Sequence, residues 1–191
     1  MVPADLPVEF ERQPRRIVCF DLETQKTFDE VGGRHNLSKL GLAVAVTYDT
    51  STSQFRSYTE DQAAELVQNL AQADLVVGFN VLSFDYPVLQ PYTDFPLDTL
   101  PTVDLLRDVH QQLGFRLPLQ ALAEATLGTG KSADGLQSVQ WFREGQVDKV
   151  IEYCQRDVEL TMQLYQFGCQ RGHLLYWDRR GQMQKVSIYW T

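Results

Sequence analysis

Ile17-Val18-Cys19-Phe20-Asp21-Leu22-Glu23-Thr24 is an apolar run that closes on two acids. A run of this kind reads as a buried strand over residues 16–23 with carboxylates at its end. Side chains two apart on a strand share a face, so Asp21 and Glu23 can converge on one cation. Two segments further along answer it. Leu75-Val76-Val77-Gly78-Phe79, in a strand read over 74–79, leads directly into Asn80-Val81-Leu82-Ser83-Phe84-Asp85. Tyr153-Cys154-Gln155-Arg156-Asp157 lies in a stretch of helical periodicity. Positions i and i+4 share a helix face, which sets the phenol beside the carboxylate.

Four carboxylates and a tyrosine in this arrangement suit phosphodiester hydrolysis with two metals. Such ions sit about 3.5–4 Å apart, one activating the attacking water and one steadying the leaving oxygen. Hard divalent ions such as Mg²⁺ take oxygen ligands and keep several waters, so a few carboxylates suffice. Without cations the clustered acids would repel one another. Each piece alone has an ordinary reading, a strand end or a helix surface. The order of the three, each behind the appropriate secondary-structure signal, makes coincidence a poor account.

The chain resembles the DEDD-type 3′–5′ exonucleases of the ribonuclease H-like fold. That family carries Asp-x-Glu in its first motif, Asn-x-x-x-Phe-Asp in its second and Tyr-x-x-x-Asp in its third. The resemblance spans about residues 16–167. It is to the tyrosine branch: the histidine branch places His five residues before the last Asp, and here that position is Glu152. The resemblance implies that Asp21 bridges two divalent cations, Mg²⁺ or Mn²⁺, that Glu23 and Asp157 complete the nucleophile-side site, and that Asp85 holds the second ion partly through water. It implies that Tyr153 orients the attacking water, because a phenol with an ordinary pKa near 10 is a poor base at neutral pH. Asn80 and Phe84 would support the terminal nucleotide, with plain core packing an open alternative for Phe84. Thr24 is placed with them on the substrate side.

At 191 residues and 43% apolar, the chain can build one substantial core. The expectation is a single domain over 1–191, with its core at about 16–167. No stretch of 18 apolar residues predicts a membrane span, and the first residues show no secretory pattern. Cys19, Cys154 and Cys169 lack metal-type spacing and read as reduced thiols, which places the protein in the cytoplasm. The net charge of −8 opposes nucleic-acid binding at first sight. Several of those charges belong to the expected metal site, however, and gripping a free 3′ end needs only a local basic patch. Candidates are Arg12, Arg15, Arg16, Lys131, Arg143, Arg171, Arg179, Arg180 and Lys185, each also readable as a solvated surface charge. The charge predicts weak, salt-sensitive binding to long strands. No polymerase or helicase segment fits this length, so such an activity would come from a protein partner.

The organisation is α/β, a mixed ribonuclease H-like sheet flanked by helices. Strands are expected over 37–48 and 54–59, then a helix over 61–71 with its N-cap at Thr59 or nearby. Pro87 and Pro91 limit the helix after the second motif. Helices are expected over 102–113, 118–127 and 144–168, with Asp104 as an N-terminal cap rather than a metal ligand. Ala125 to Ser132 matches a loose P-loop pattern, but a P-loop needs a strand before it and a helix after it. Here a helix precedes it, Gly128 ends that helix, and Ala133-Asp134-Gly135 reads as loop. A Gly-rich loop with Lys131 reaching a phosphate is the better reading.

Residues 173–191 read as a β-hairpin, with Leu174-Leu175-Tyr176-Trp177 and Val186-Ser187-Ile188-Tyr189-Trp190 around a polar turn. It either packs on the sheet or covers an edge, packing being the favoured reading, or stacks on single-stranded nucleic acid. Two functions stand: an active 3′–5′ exonuclease, or a catalytically silent nucleic-acid- or partner-binding module of the same fold. The intact set of acids plus Tyr153 favours the first.

Overall fold

The computed structural model describes residues 15–129 and 135–190. Arg12, Lys131, Ala133 and Asp134 lie outside them. The architecture is a five-stranded mixed sheet in the order β3-β2-β1-β4-β5, with helices on both faces and a separate two-stranded hairpin. The strands are β1 (Ile17–Thr24), β2 (Leu42–Asp49), β3 (Gln54–Thr59), β4 (Leu75–Gly78) and β5 (Thr102–Asp104). β1, β2 and β3 pair antiparallel, whereas β1, β4 and β5 run parallel. The acid-bearing strand is therefore central.

Alternation along β1 divides the core. Val18, Phe20 and Leu22 face α1 (Ala63–Ala71) and α2 (Asp85–Leu89) in one buried cluster. Cys19 joins Val44, Val46, Val77 and Val158 in the other, under the long helix α6 (Val147–Arg171). Asp21 and Glu23 keep step with Cys19, so their carboxylates emerge on the α6 side.

Several boundaries differ from the sequence reading. The second strand begins at Leu42, not residue 37. Arg34–Lys39 form 3₁₀ turns, and Gly41 takes a left-handed φ of 71° that separates them from the strand. Thr102–Asp104 is a strand rather than helix, since its β-branched residues pair with β4 in parallel. Helix α3 (Leu105–Leu113) starts only after Asp104. The span read as a helix over 144–168 begins at Val147, because Gly145 at φ 72° breaks the chain, and it continues to Arg171. Before that break lies a helix the sequence reading did not include, α5 (Gly135–Arg143).

Other expectations hold, one of them in part. Thr59 begins the turn leading into α1, and its backbone N–H donates to the Gln62 side chain at 3.1 Å. Helix α2 ends at Leu89, two residues before Pro91, as expected, but Pro87 does not limit it: it sits in the first turn, where its missing N–H costs nothing. Helix α4 (Leu119–Leu127) ends at Gly128 with φ 70°, so a helix indeed precedes the glycine-rich segment.

The hairpin, β6 (His173–Trp177) with β7 (Met183–Ser187), packs chiefly on α4, α6 and α3 rather than on the sheet or over its edge. Leu174, Val186 and Ile188 are buried in the α6-side cluster. The Thr126 hydroxyl of α4 donates to the Leu175 carbonyl at 3.1 Å and accepts from its N–H at 3.0 Å. Trp190 stacks on Tyr165, with centroids 5.7 Å apart, and its indole N–H donates to Asp108 at 2.8 Å. A Cβ at Gly168 would come within 2.6 Å of that indole, so α6 needs a glycine where the tail crosses it.

Candidate active site

β1 delivers Asp21 and Glu23 in register with Val46 and Val44 of β2. Immediately beyond, Thr24 pairs with Leu42, so the ladder slips by one residue at Ala43. A bulge at this point bends the sheet where the acids emerge. Helix α6 crosses above. Oxygens of Asp21, Glu23 and Asp157 lie within 4.8 Å of one another, the one such group of three among the described residues.

Asp85 stands beside this trio rather than within it. β4 pairs with β1 only through Cys19, which leaves later N–H groups of β1 without a strand partner on that side. The Asp85 carboxylate accepts one of them, from Leu22, at 3.2 Å. The turn that brings Asp85 there is tightly specified. A Cβ at Gly78 would meet Val81 at 2.1 Å, and Asn80 adopts a left-handed φ of 70°, a conformation Asn tolerates better than most residues. Asp104 fixes the same turn. Its carboxylate accepts the Asn80 N–H at 2.8 Å and the Leu82 N–H at 3.1 Å, and it caps α3 through the Arg107 N–H at 3.2 Å. It is a cap, as its position in the sequence suggests, and it braces the second motif as well.

The electrostatics follow from burial. Desolvation, then the charges of Asp85, Glu23 and Asp157, push the Asp21 carboxyl well above its usual range. Burial pushes Glu23 up to about 8, partly opposed by a hydrogen bond from the Ser138 hydroxyl of α5. Burial and the Asp104 charge push Asp85 to about 8. Asp157 is raised to about 6 by burial, against a hydrogen bond from Tyr153, the charge of Arg156 and a hydrogen bond from Gln120. The Gln120 amide donates to Asp157 at 3.1 Å. No ion pair among the described residues engages these four acids. Buried carboxylates that no ion pair neutralises require protons or metal ions. An all-oxygen donor set of this kind fits hard divalent cations.

Tyr153 lies one turn before Asp157, is hydrogen-bonded to it, and meets Trp141 of α5 edge-on at 6.4 Å. Burial, then the Asp157 charge, raises the phenol's pKa further, which removes it as a base near neutral pH. Cys154 faces Asp21 as well, its thiol 3.2 Å from the Asp21 carbonyl.

A cleft of about 550 Å³ opens over the acids. Thr24 and Phe84 line it, and Phe84 meets Phe28 edge-on at 6.0 Å while also packing on the core. The Asn80 side chain is directed elsewhere, accepting from Arg116 at 2.7 Å. Lys26 and Arg34 also line the cleft, although the sequence reading singled out neither. Both come from the loop after β1, whose path no periodicity reveals. Of the basic candidates named from sequence, Arg16 pairs with Asp49 at 2.6 Å and Arg143 pairs with Glu30.

A family model described as RNase_H superfamily matches residues 18–167. No curated protein matches the sequence. Among solved structures, the chain is similar to the family B DNA polymerase of the hyperthermophilic archaeon Pyrobaculum calidifontis, at 16% identity and a TM-score of 0.64. That match covers 82% of this chain and 25% of the polymerase chain, so the chain spans about a quarter of its length. The likeness is one of fold.

Proposed function

The chain belongs to the RNase H superfamily, and we propose that it acts, as one domain, as a metal-dependent 3′–5′ exonuclease of the DEDD type, tyrosine branch. The observation that carries this reading is the meeting of Asp21, Glu23 and Asp157 within 4.8 Å at the end of a central strand. Asp85 and Tyr153 stand beside them.

Asp21, Glu23 and Asp157 would hold one divalent cation, and Asp21 with Asp85 a second, Mg²⁺ or Mn²⁺. Bound there, the ions would neutralise the buried acids and supply an activated water and a stabilised leaving oxygen. The residues of the chain bind and orient. Tyr153, neutral at working pH, places the water through its hydroxyl oxygen, which can accept a hydrogen bond while its proton is held by Asp157. Phe84 packs against the terminal nucleotide, with Thr24 beside it in the cleft. Lys26 and Arg34 bring positive charge to the cleft wall, where a phosphate backbone would run.

One assay series tests the reading: 5′-labelled and 3′-labelled single-stranded DNA and RNA, and a closed single-stranded circle, with Mg²⁺ or Mn²⁺. A stepwise ladder from 5′-labelled strands, an intact circle and no reaction by Asp21→Ala are expected. Rapid cutting of the circle would mark an endonuclease. Well-folded Asp21→Ala protein that keeps most of its activity would sink the site assignment, and binding without hydrolysis would mark a silent module.

A further inference from the structure

The hairpin forms a groove of about 740 Å³ with the loop between α3 and α4. Its walls carry Phe115, Arg116, Tyr176, Trp177, Arg179 and Arg180. Phe115 and Trp177 are 45% and 50% exposed, a large apolar area to leave in water without an occupant. Phe115 and Tyr176 meet edge-on at 6.0 Å, which joins the two walls. Among the described residues, no ion pair engages Arg116, Arg179 or Arg180. The acid of the groove, Asp178, is tied into the turn, accepting from the N–H groups of Arg180 and Gln182 at 2.8 and 2.9 Å and from the Gln184 amide at 3.0 Å. Cations without a carboxylate partner among the described residues and flat aromatic faces thus collect on one surface of a chain whose net charge is −8.

One hydrogen bond connects the groove wall to the turn that borders the cleft. Arg116 in the groove wall bonds Asn80, and the preceding residue, Phe79, lines the cleft over the acids. We propose that the groove binds single-stranded nucleic acid, stacking bases on Phe115 and Trp177 and holding phosphates with Arg116, Arg179 and Arg180. Stacking on aromatic faces with flanking cations is sequence-tolerant, as a strand moving past a fixed site requires. The inference deepens the nuclease reading by giving that site a hold on the body of the strand, and it rests on that reading only for the position of the reacting end.

The test uses fluorescein-labelled dodecamers of thymidylate and uridylate, measured by anisotropy in EDTA across a salt series. Trp177→Ala is expected to weaken binding by about tenfold. Arg179→Ala/Arg180→Ala should weaken it too, and should flatten the dependence of log affinity on log salt by about 0.7 per lost phosphate contact. A second arm, with Mg²⁺, compares kcat/KM on the dodecamer with that on a dinucleotide. The ratio should fall about tenfold in the variants, whose melting temperatures should match wild type. Wild-type binding that the variants retain in full, or no wild-type binding at all, overturns the groove. Groove-dependent binding by a protein that cleaves neither substrate leaves the groove standing and removes the nuclease reading.

Discussion

The hydroxyl of Ser138 donates to the carboxylate of Glu23, tying α5 to β1 across 115 positions of sequence. Both groups are buried, and this bond is the largest influence opposing the rise in the Glu23 pKa. Ser138→Ala should therefore raise that pKa further, and a cation can enter only as the proton leaves. The expected result is Mn²⁺ affinity weaker by about tenfold at neutral pH, one unit of pKa being about 1.4 kcal/mol. The gap should close toward pH 9. Calorimetric titration at several pH values measures this, and equal affinity at neutral pH would leave Ser138 with packing alone.

Metal-free protein should lose stability as pH rises. Asp157 is raised to about 6, and Glu23 and Asp85 to about 8, all above their unfolded values. Their folded forms hold protons the unfolded chain has released, so their contribution fades between about pH 4 and pH 8. Asp49 works the other way. Burial pushes it up, but hydrogen bonds from Ser51 and Arg16 outweigh that and lower its pKa, so its contribution is lost in acid. In EDTA the melting temperature should peak near pH 5. Mg²⁺ or Mn²⁺ should raise it strongly at pH 8 and little at pH 5, and a melting temperature climbing steadily from pH 5 to 8 in EDTA would contradict the account.

Tyr153→Phe keeps the ring against Trp141 and removes only the hydroxyl that bonds Asp157. Single-turnover hydrolysis should slow by about 10²-fold, the low end for a positioned group. Substrate affinity and the melting temperature should change little. Unaltered turnover where chemistry limits the rate would make Tyr153 a packing residue.

Asp104→Ala strips three backbone N–H groups, of Asn80, Leu82 and Arg107, of their acceptor. Buried donors left without partners cost about 1–3 kcal/mol. Urea denaturation should show a loss of that order or more. Hydrolysis should fall as well, because Asp85 rides on the same turn. An unchanged midpoint would show that water replaces the carboxylate.

Two of the acid-bearing motifs were legible because their spacing matches the period of their element, two along β1 and four along α6, and the one that ends at Asp85 because an apolar strand leads directly into it. The cap at Asp104 was legible for a similar reason, an acid directly before an apolar helical run. Ser138 was not, since its bond to Glu23 joins distant segments and leaves no periodic trace. Its helix was hidden too, beginning at a glycine beside a glycine-rich stretch that resembles loop. β5 was missed because three residues are too few to show alternation against the helix that follows. Gly41 and Gly145 could have set the disputed boundaries: each takes a left-handed φ that ends one element before the next.

The chain holds three tryptophans, and the fold gives each a different post. Trp141 stands edge-on to Tyr153 above the acids, Trp177 lies half open to solvent in the groove, and Trp190 is stacked on Tyr165 over α6. Their emission is a built-in set of optical reporters. With two indoles replaced by phenylalanine at a time, the remaining one follows events at the acids, arrival of a strand, or release of the tail from the long helix, with no dye attached.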